Sequence, residues 1–219
     1  VDMSVETTRK VRVIGRQQQL LRIDFEKTPS REVLLQKLRD YRRLLVECDV
    51  VILSDYGKGG LTHIVNMIGL AHRYRKRILV DPKGFDFSRY KGANVMTPNR
   101  GELREVVGPW SRETELDSKA QRLRRDLGLD ALLVTRSEEG MTLYEEEGRH
   151  HEATQAREVY DVSGAGDTVI AALAVMVAAG ADLREAVRIA NHAAGIVVGK
   201  LGTAVASFAE LKNSMKAEH

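Results

Sequence analysis

From residue 49 onward, short apolar runs alternate with stretches whose apolar residues recur at helical spacing. The runs lie at residues 50–53, 78–80, 95–96 and 131–134, and they predict buried strands. Short apolar strands separated by helices predict a parallel sheet covered on both faces. Polar residues follow each strand, and in an open α/β sheet the carboxyl ends of the strands form the edge where ligands bind.

The remaining pattern predicts two hairpins and the helices around the sheet. Residues 11–14 and 20–25 alternate in polarity and predict a hairpin, and residues 141–144 and 149–153 predict a second one at the sheet edge. Ser30 is a suitable cap for a helix that continues to Leu45. Further helices are predicted at residues 61–74, 101–107, 120–127, 164–179, 182–198 and 207–215.

Composition narrows the class of protein. The 219 residues predict one domain over 1–219, and 43% hydrophobic with 30% charged residues is ordinary for a globular chain. The net charge of +3 is spread along the chain and gives no nucleic-acid-binding stripe. A lone Cys48 excludes an internal disulfide, which favours the cytoplasm, and the apolar runs are too short to span a membrane. Because the chain opens on Val1 and Asp2, we expect upstream sequence to be missing.

Two glycines and an aspartate precede the apolar stretch 169–179, where a helix is predicted to start. A helix start presents unpaired N–H groups and partial positive charge, and Gly164 and Gly166 allow an anion to approach that backbone closely. Asp167 would repel a phosphate. Its carboxylate therefore predicts a different task, the abstraction of a proton from an attacking hydroxyl.

Asn99 and Glu102 have two explanations. Asn99 ends a strand and Glu102 follows three residues later, so both side chains can point into one cleft and organise Mg²⁺ and phosphates. The same spacing also fits a capping box at the start of the next helix. The residues alone leave both open.

These motifs together resemble the ribokinase-like sugar kinases, over essentially the whole chain. The similarity rests on the run of residues 164–168 with Asp161 ahead of it, on Asn99 with Glu102, and on residues 134–140. It is strongest with the branch that phosphorylates heptose 7-phosphate, through residues 16–24, 54–59, 81–84 and 199–203. The resemblance implies a three-layer α/β/α fold with a mostly parallel sheet and a small β lid at residues 8–26.

The resemblance also implies roles for individual residues. Asp167 would be the general base, and the backbone amides of Gly164, Ala165 and Gly166 would bind the transferred phosphoryl group. Asn99 and Glu102 would organise Mg²⁺, and ATP would be held by Lys83, Thr135, Arg136, Gly140, Asn191, Gly202 and Thr203. The sugar phosphate would contact Arg22, Lys58 and Asp161. Lys58 and Lys83 could each instead be a surface lysine.

The contacts of Asn99 and Glu102 to Mg²⁺ would run through water molecules.

The resemblance extends to the lid, the activity and the partners. A β lid in this family covers the sugar, excludes water and often joins two subunits, so a homodimer through residues 8–26 is expected. The implied activity is ATP-dependent phosphorylation of the 1-hydroxyl of D-glycero-D-manno-heptose 7-phosphate in lipopolysaccharide precursor synthesis, with no nucleic acid or membrane partner. The family's N-terminal third, with the first strands and part of the sugar site, is expected to be missing. The alternatives are a truncated nucleotide-binding module with impaired catalysis, a kinase for another sugar or nucleoside, and a purely structural protein.

Overall fold

The computed structural model describes residues 8–15, 18–156 and 158–217 of the chain. Arg16 and Gln17, part of the motif at residues 16–24, lie outside the described residues, as do Val1 and Asp2. The strands are β1 Arg9–Gly15, β2 Gln18–Phe25, β3 Val50–Ser54, β4 Arg77–Asp81, β5 Val95–Met96, β6 Ala131–Thr135, β7 Met141–Glu145 and β8 Gly148–Glu152. The α-helices are α1 Arg31–Leu44, α2 Ile64–Arg73, α3 Arg100–Val107, α4 Glu113–Leu127, α5 Ala165–Ala178, α6 Leu183–Val198 and α7 Phe208–Lys216.

The central sheet has six strands in the order β3-β4-β5-β6-β7-β8. Its first four strands are parallel, and β7 and β8 add an antiparallel hairpin at one edge. Parallel strands require crossover connections. These contain α2 between β3 and β4, a short 3-10 helix at Ser88–Tyr90 between β4 and β5, and α3 and α4 between β5 and β6. The predicted, mostly parallel α/β sheet and its edge hairpin are therefore confirmed.

Helices cover both faces of this sheet. One core contains buried residues of α2, α3 and α4, such as Ile64, Leu103 and Leu116, packed against Ile78 and Leu132. The core on the other face joins α5 and α6 to the alternate side chains of the same strands. Successive side chains of a strand point to opposite faces, so strands buried on both sides must be apolar throughout.

β1 and β2 form a separate two-stranded antiparallel sheet. Val11 lies opposite Ile23 and Val13 opposite Leu21, which places four apolar side chains on one face of the hairpin. All four are exposed. The hairpin predicted from the alternation is confirmed, and its apolar face is uncovered within the described part of the chain.

Capping side chains mark several helix starts, and the cap predicted at Ser30 is confirmed. The hydroxyl of Ser30 accepts a hydrogen bond from the Val33 amide, and Asp182 and Ser207 cap α6 and α7 in the same way. The prediction placed the start of α4 too late: the helix begins at Glu113, not at residue 120. Its first turns are acidic and solvent-facing, so the apolar pattern that marks a helix is weak there. Among the described residues, no helix has the length and apolar character needed to cross a membrane.

Candidate functional site

Polar side chains gather where the parallel strands end. Ser54 lies opposite Asp81 in the register of β3 and β4, and the Thr97 amide donates to the Val80 carbonyl at 2.9 Å. Asn99 forms a parallel bridge with Thr135 at the end of β6. The polar residues that follow β3, β4, β5 and β6 therefore lie at one edge of the sheet.

The predicted anion site lies at the start of α5. Gly164 caps the helix in the left-handed region, with φ of 79°, which a glycine adopts without strain. The Thr168 amide and hydroxyl both donate to the Gly164 carbonyl at 2.9 Å. The Ala165 amide donates to the Val162 carbonyl at 3.2 Å, so among the three predicted amides those of Gly164 and Gly166 are better placed to receive an anion.

Asp167 lies in the first turn of α5 and is exposed. Its Oδ1 accepts a hydrogen bond of 2.8 Å from the hydroxyl of Tyr56, a residue of the loop after β3. This bond to Asp167 is the main reason why the pKa of Tyr56 is raised. Sequence reasoning gave Tyr56 no role, because the two residues are 111 positions apart.

Asp81 is a second residue of the site without a predicted role. Burial raises the pKa of its carboxyl to about 6, and the negative charges of Glu102 and Asp167 add to the shift. Such a shift is typical of functional clefts. An acid at the carboxyl end of a parallel strand was the signal in the sequence that could have identified it.

The capping box is the arrangement observed at Asn99 and Glu102. The Glu102 amide donates to Asn99 Oδ1 at 2.9 Å, and the Asn99 amide donates to Glu102 Oε2 at 3.0 Å. The other oxygen of Glu102 accepts from Lys83 Nζ at 2.9 Å, and this bond raises the pKa of Lys83. The structure therefore shows the capping box that the spacing of Asn99 and Glu102 allowed. Lys83 lies at the same edge of the sheet.

A cleft of about 360 Å³ lies between the loop after β6 and helices α5 and α6. Its lining includes five residues with predicted roles, Thr135, Gly140, Ala165, Gly166 and Asn191. Asn191 is buried and its amide donates to the Ala153 carbonyl at 2.6 Å. The predicted adenine-end residues are not together, because Thr203 instead lines a groove with Gly164 and Asp167.

The guanidinium of Arg136 is bound to two carboxylates next to the cleft. Its guanidinium donates to both oxygens of Glu113 at 2.8 and 2.9 Å, and also contacts Glu139. Only 6% of the Arg136 side chain is exposed, against 48% for Glu113. These contacts tie the start of α4 to the loop after β6. The role of Arg136 in nucleotide binding stays a prediction.

Each predicted sugar-side residue is engaged in contacts with other residues of the chain. Lys58 forms an ion pair with Glu26 beyond the end of β2, and Arg22 forms one with Asp24 at 3.1 Å on the hairpin. Asp161 accepts from the amides of Ser163 at 2.9 Å and Gly202 at 3.1 Å, which joins two loops beside α5. The hydrogen bond from Ser163 is the main reason why the pKa of Asp161 is lowered.

The carboxylate oxygens at the sheet edge suit a cation that binds together with a nucleotide. Within residues 8–15, 18–156 and 158–217, no group of three or more His, Cys, Asp or Glu side chains could by itself hold a metal ion. Mg²⁺ in nucleotide sites takes few protein ligands, mostly carboxylate oxygens and water, and the rest from phosphates. Glu102 and Asp81 supply oxygens of this kind, so the residues fit Mg²⁺ bound through ATP.

Comparison with known sequences gives a consistent result. Residues 53–209 match the family described as pfkB family carbohydrate kinase. The chain is 55% identical over 210 residues to a D-beta-D-heptose 7-phosphate kinase of Bordetella bronchiseptica, covering 96% of this chain and 67% of the relative. It is 52% identical to the bifunctional protein HldE of Chromohalobacter salexigens, covering 96% of this chain but only 44% of that protein.

Solved structures share the fold. A ribokinase of Thermotoga maritima superposes with a TM-score of 0.79 at 21% identity, covering 99% of this chain and 72% of that one. A ribokinase of Arabidopsis thaliana, complexed with ribose and ATP, gives a TM-score of 0.73 at 19% identity, covering 91% of this chain and 66% of that one. The ribokinase-like fold expected from the sequence is confirmed.

Proposed function

Because this chain belongs to the pfkB family of carbohydrate kinases, we propose that it transfers the γ-phosphoryl group of ATP to the 1-hydroxyl of D-glycero-D-manno-heptose 7-phosphate. The assignment of this substrate rests on the 55% identity to a D-beta-D-heptose 7-phosphate kinase over 96% of this chain. The product would serve lipopolysaccharide precursor synthesis, in the cytoplasm.

In this proposal Asp167 takes the proton from the attacking hydroxyl. Its position in the first turn of α5 puts the carboxylate beside the amides of Gly164 and Gly166 at the helix start. Those amides, with the partial positive charge of the helix, stabilise the negative charge of the transferred phosphoryl group. One helix start therefore holds both the base and the anion site, which aligns the hydroxyl with the phosphorus atom.

ATP would occupy the cleft between the loop after β6 and α6, with its phosphates directed toward Gly166. Lys83 would neutralise phosphate charge by exchanging its bond to Glu102 for one to the nucleotide. Mg²⁺, held near Glu102 and Asp81 through water, would supply further charge neutralisation to the phosphates. The roles of Thr135, Gly140 and Asn191 are to line the nucleotide cleft.

An assay of phosphate transfer tests this function. The full chain is incubated with ATP, MgCl₂ and heptose 7-phosphate, and the sugar 1-phosphate is followed by phosphorus NMR. We expect ADP and the 1-phosphate in equal amounts. Ribose, fructose 6-phosphate and adenosine serve as competing acceptors, and a preference for one of them would replace heptose 7-phosphate in the proposal.

A nucleotide-binding module without turnover is the second candidate. It is favoured by the open groove beside Asp167, where Val175 and Phe208 are exposed, because kinases exclude water from the acceptor. Calorimetry separates the two. ATP binding without heptose 7-phosphate binding would support the module, whereas binding of both with turnover would support the kinase.

A further inference from the structure

The loop after β3 reaches across the sheet edge to the start of α5. Tyr56 in this loop donates its hydroxyl hydrogen bond to Asp167 Oδ1 at 2.8 Å. Among the described residues, no other hydrogen bond to this carboxylate is present. Oδ2 is therefore the oxygen that remains for an incoming hydroxyl.

A buried carboxylate holds the loop in this position. Asp55 is only 5% exposed; its Oδ1 accepts from the Gly57 amide at 2.8 Å and its Oδ2 from the Tyr90 hydroxyl at 2.9 Å. Tyr90 is itself buried and bonded to the backbone of Lys83. Gly57 takes a φ of +69°, which the turn requires. Tyr56 thus extends from an anchored turn.

We infer that Tyr56 is a positioning residue for the catalytic base, an inference that rests on the proposed kinase function. By holding Oδ1, the phenol restricts rotation of the carboxylate and directs Oδ2 toward the acceptor hydroxyl. A base that is fixed before the substrate arrives loses less conformational freedom in the transition state. Tyr56 does not exchange a proton in this step; it acts through Asp167.

The contact itself can be tested without measuring activity. Ultraviolet titration of the phenols, with Tyr56→Phe to identify the signal of Tyr56, gives its pKa in the wild-type chain. Asp167→Asn should lower that pKa toward the usual value near 10, because the anionic acceptor is removed. An unchanged Tyr56 titration in Asp167→Asn would overturn the contact.

The positioning role is tested by steady-state kinetics. Tyr56→Phe should lower kcat by about tenfold to a hundredfold while KM for ATP stays within about twofold. Tyr160→Phe is the matched control, since Tyr160 is similarly exposed, 62% against 59%, and its hydroxyl also donates to a carboxylate at 2.8 Å, that of Glu158. This control should keep the wild-type kcat.

A double variant separates positioning from a general structural effect. If Tyr56 acts through Asp167, adding Tyr56→Phe to Asp167→Asn should cause no further loss of kcat. Additive losses, or a wild-type kcat in Tyr56→Phe alone, would overturn the inference and leave the kinase function standing. Absence of turnover in the wild-type chain would overturn the kinase function and, with it, the role of Tyr56.

Discussion

Asp167 places an exposed carboxylate at a helix start, and the two have opposite effects on a nearby phosphate. The amides attract the anion, whereas the carboxylate repels it unless a proton is transferred. Replacing Asp167 by Asn removes the proposed base and keeps the size of the side chain. We expect kcat to fall by about a hundredfold or more and ATP affinity to change little, as measured by phosphate transfer and calorimetry.

The control for this variant is Asp126→Asn, which neutralises an exposed carboxylate of α4 paired with Arg122 at 3.5 Å. Its kcat should match the wild type. Near-normal turnover in Asp167→Asn would show that another group takes the proton.

Asp81 should make the stability of the chain depend on pH. Its pKa is about 6 in the folded chain and 3.8 when unperturbed, so between about pH 4 and 6 the folded state binds more protons than the unfolded state. The free energy of unfolding therefore falls as the pH rises through this window. Asp81→Asn removes the cost of holding this partly buried carboxylate in its charged form. The variant should therefore be more stable than the wild type by about 1–2 kcal/mol above pH 6, allowing for partial solvent exposure.

Urea unfolding at a series of pH values measures this effect. The advantage of Asp81→Asn should shrink as the pH falls from 6 and disappear below about 3.8, where the wild-type carboxyl becomes protonated in both states. Asp40→Asn, at an exposed carboxylate of α1, is the control and should parallel the wild type. Parallel curves for Asp81→Asn and the wild type would contradict the prediction.

At the scale of the elements, the turn between β6 and β7 depends on a close approach of two backbones. Gly140 has a φ of +86°, and a Cβ built there would lie 2.1 Å from the Glu152 carbonyl oxygen. Gly180 has a φ of +84° with no atom within 4 Å of such a Cβ. Both alanine variants are strained by the backbone, but only Gly140→Ala adds a clash with main-chain atoms that cannot rotate away.

We therefore expect Gly180→Ala to cost about 1 kcal/mol and Gly140→Ala about 3 kcal/mol or more in the free energy of unfolding. Urea denaturation of the two variants measures the difference. Equal losses would mean that the turn relaxes away from Glu152.

Local signals explain why most elements could be predicted. Ser30, Asn99, Asp182 and Ser207 cap helices through bonds within four residues, and such bonds are encoded in short stretches of sequence. The start of α4 was missed because its first turns are polar. The pairing of Tyr56 with Asp167 could not be predicted, since it depends on how two distant loops meet at the sheet edge.

At the scale of the molecule, the site depends on the sheet as a scaffold. The loops after β3, β4, β5 and β6 converge because parallel strands end at the same edge, and α5 crosses one face to add Asp167. The chain spans about 67% of the length of one kinase relative and 44% of a bifunctional one.

The β1–β2 hairpin supports a proposal for assembly. Val13 and Leu21 are paired across its strands and remain 42% and 53% exposed, while Arg12 and Arg22 occupy the other face. An isolated two-stranded sheet is marginally stable in water, so a second hairpin packed on this apolar face would stabilise it. We expect the chain to form a homodimer through this face.

The variant Val13→Lys/Leu21→Lys places two positive charges on the apolar face, and burying them in a dimer would be costly. Analytical ultracentrifugation should then find a monomer, with the far-ultraviolet circular dichroism of the main domain unchanged. Arg12→Glu, a charge reversal on the opposite face, should keep the dimer. A dimer that survives Val13→Lys/Leu21→Lys would assign the interface to another surface, and a wild-type monomer would exclude the lid as a subunit contact.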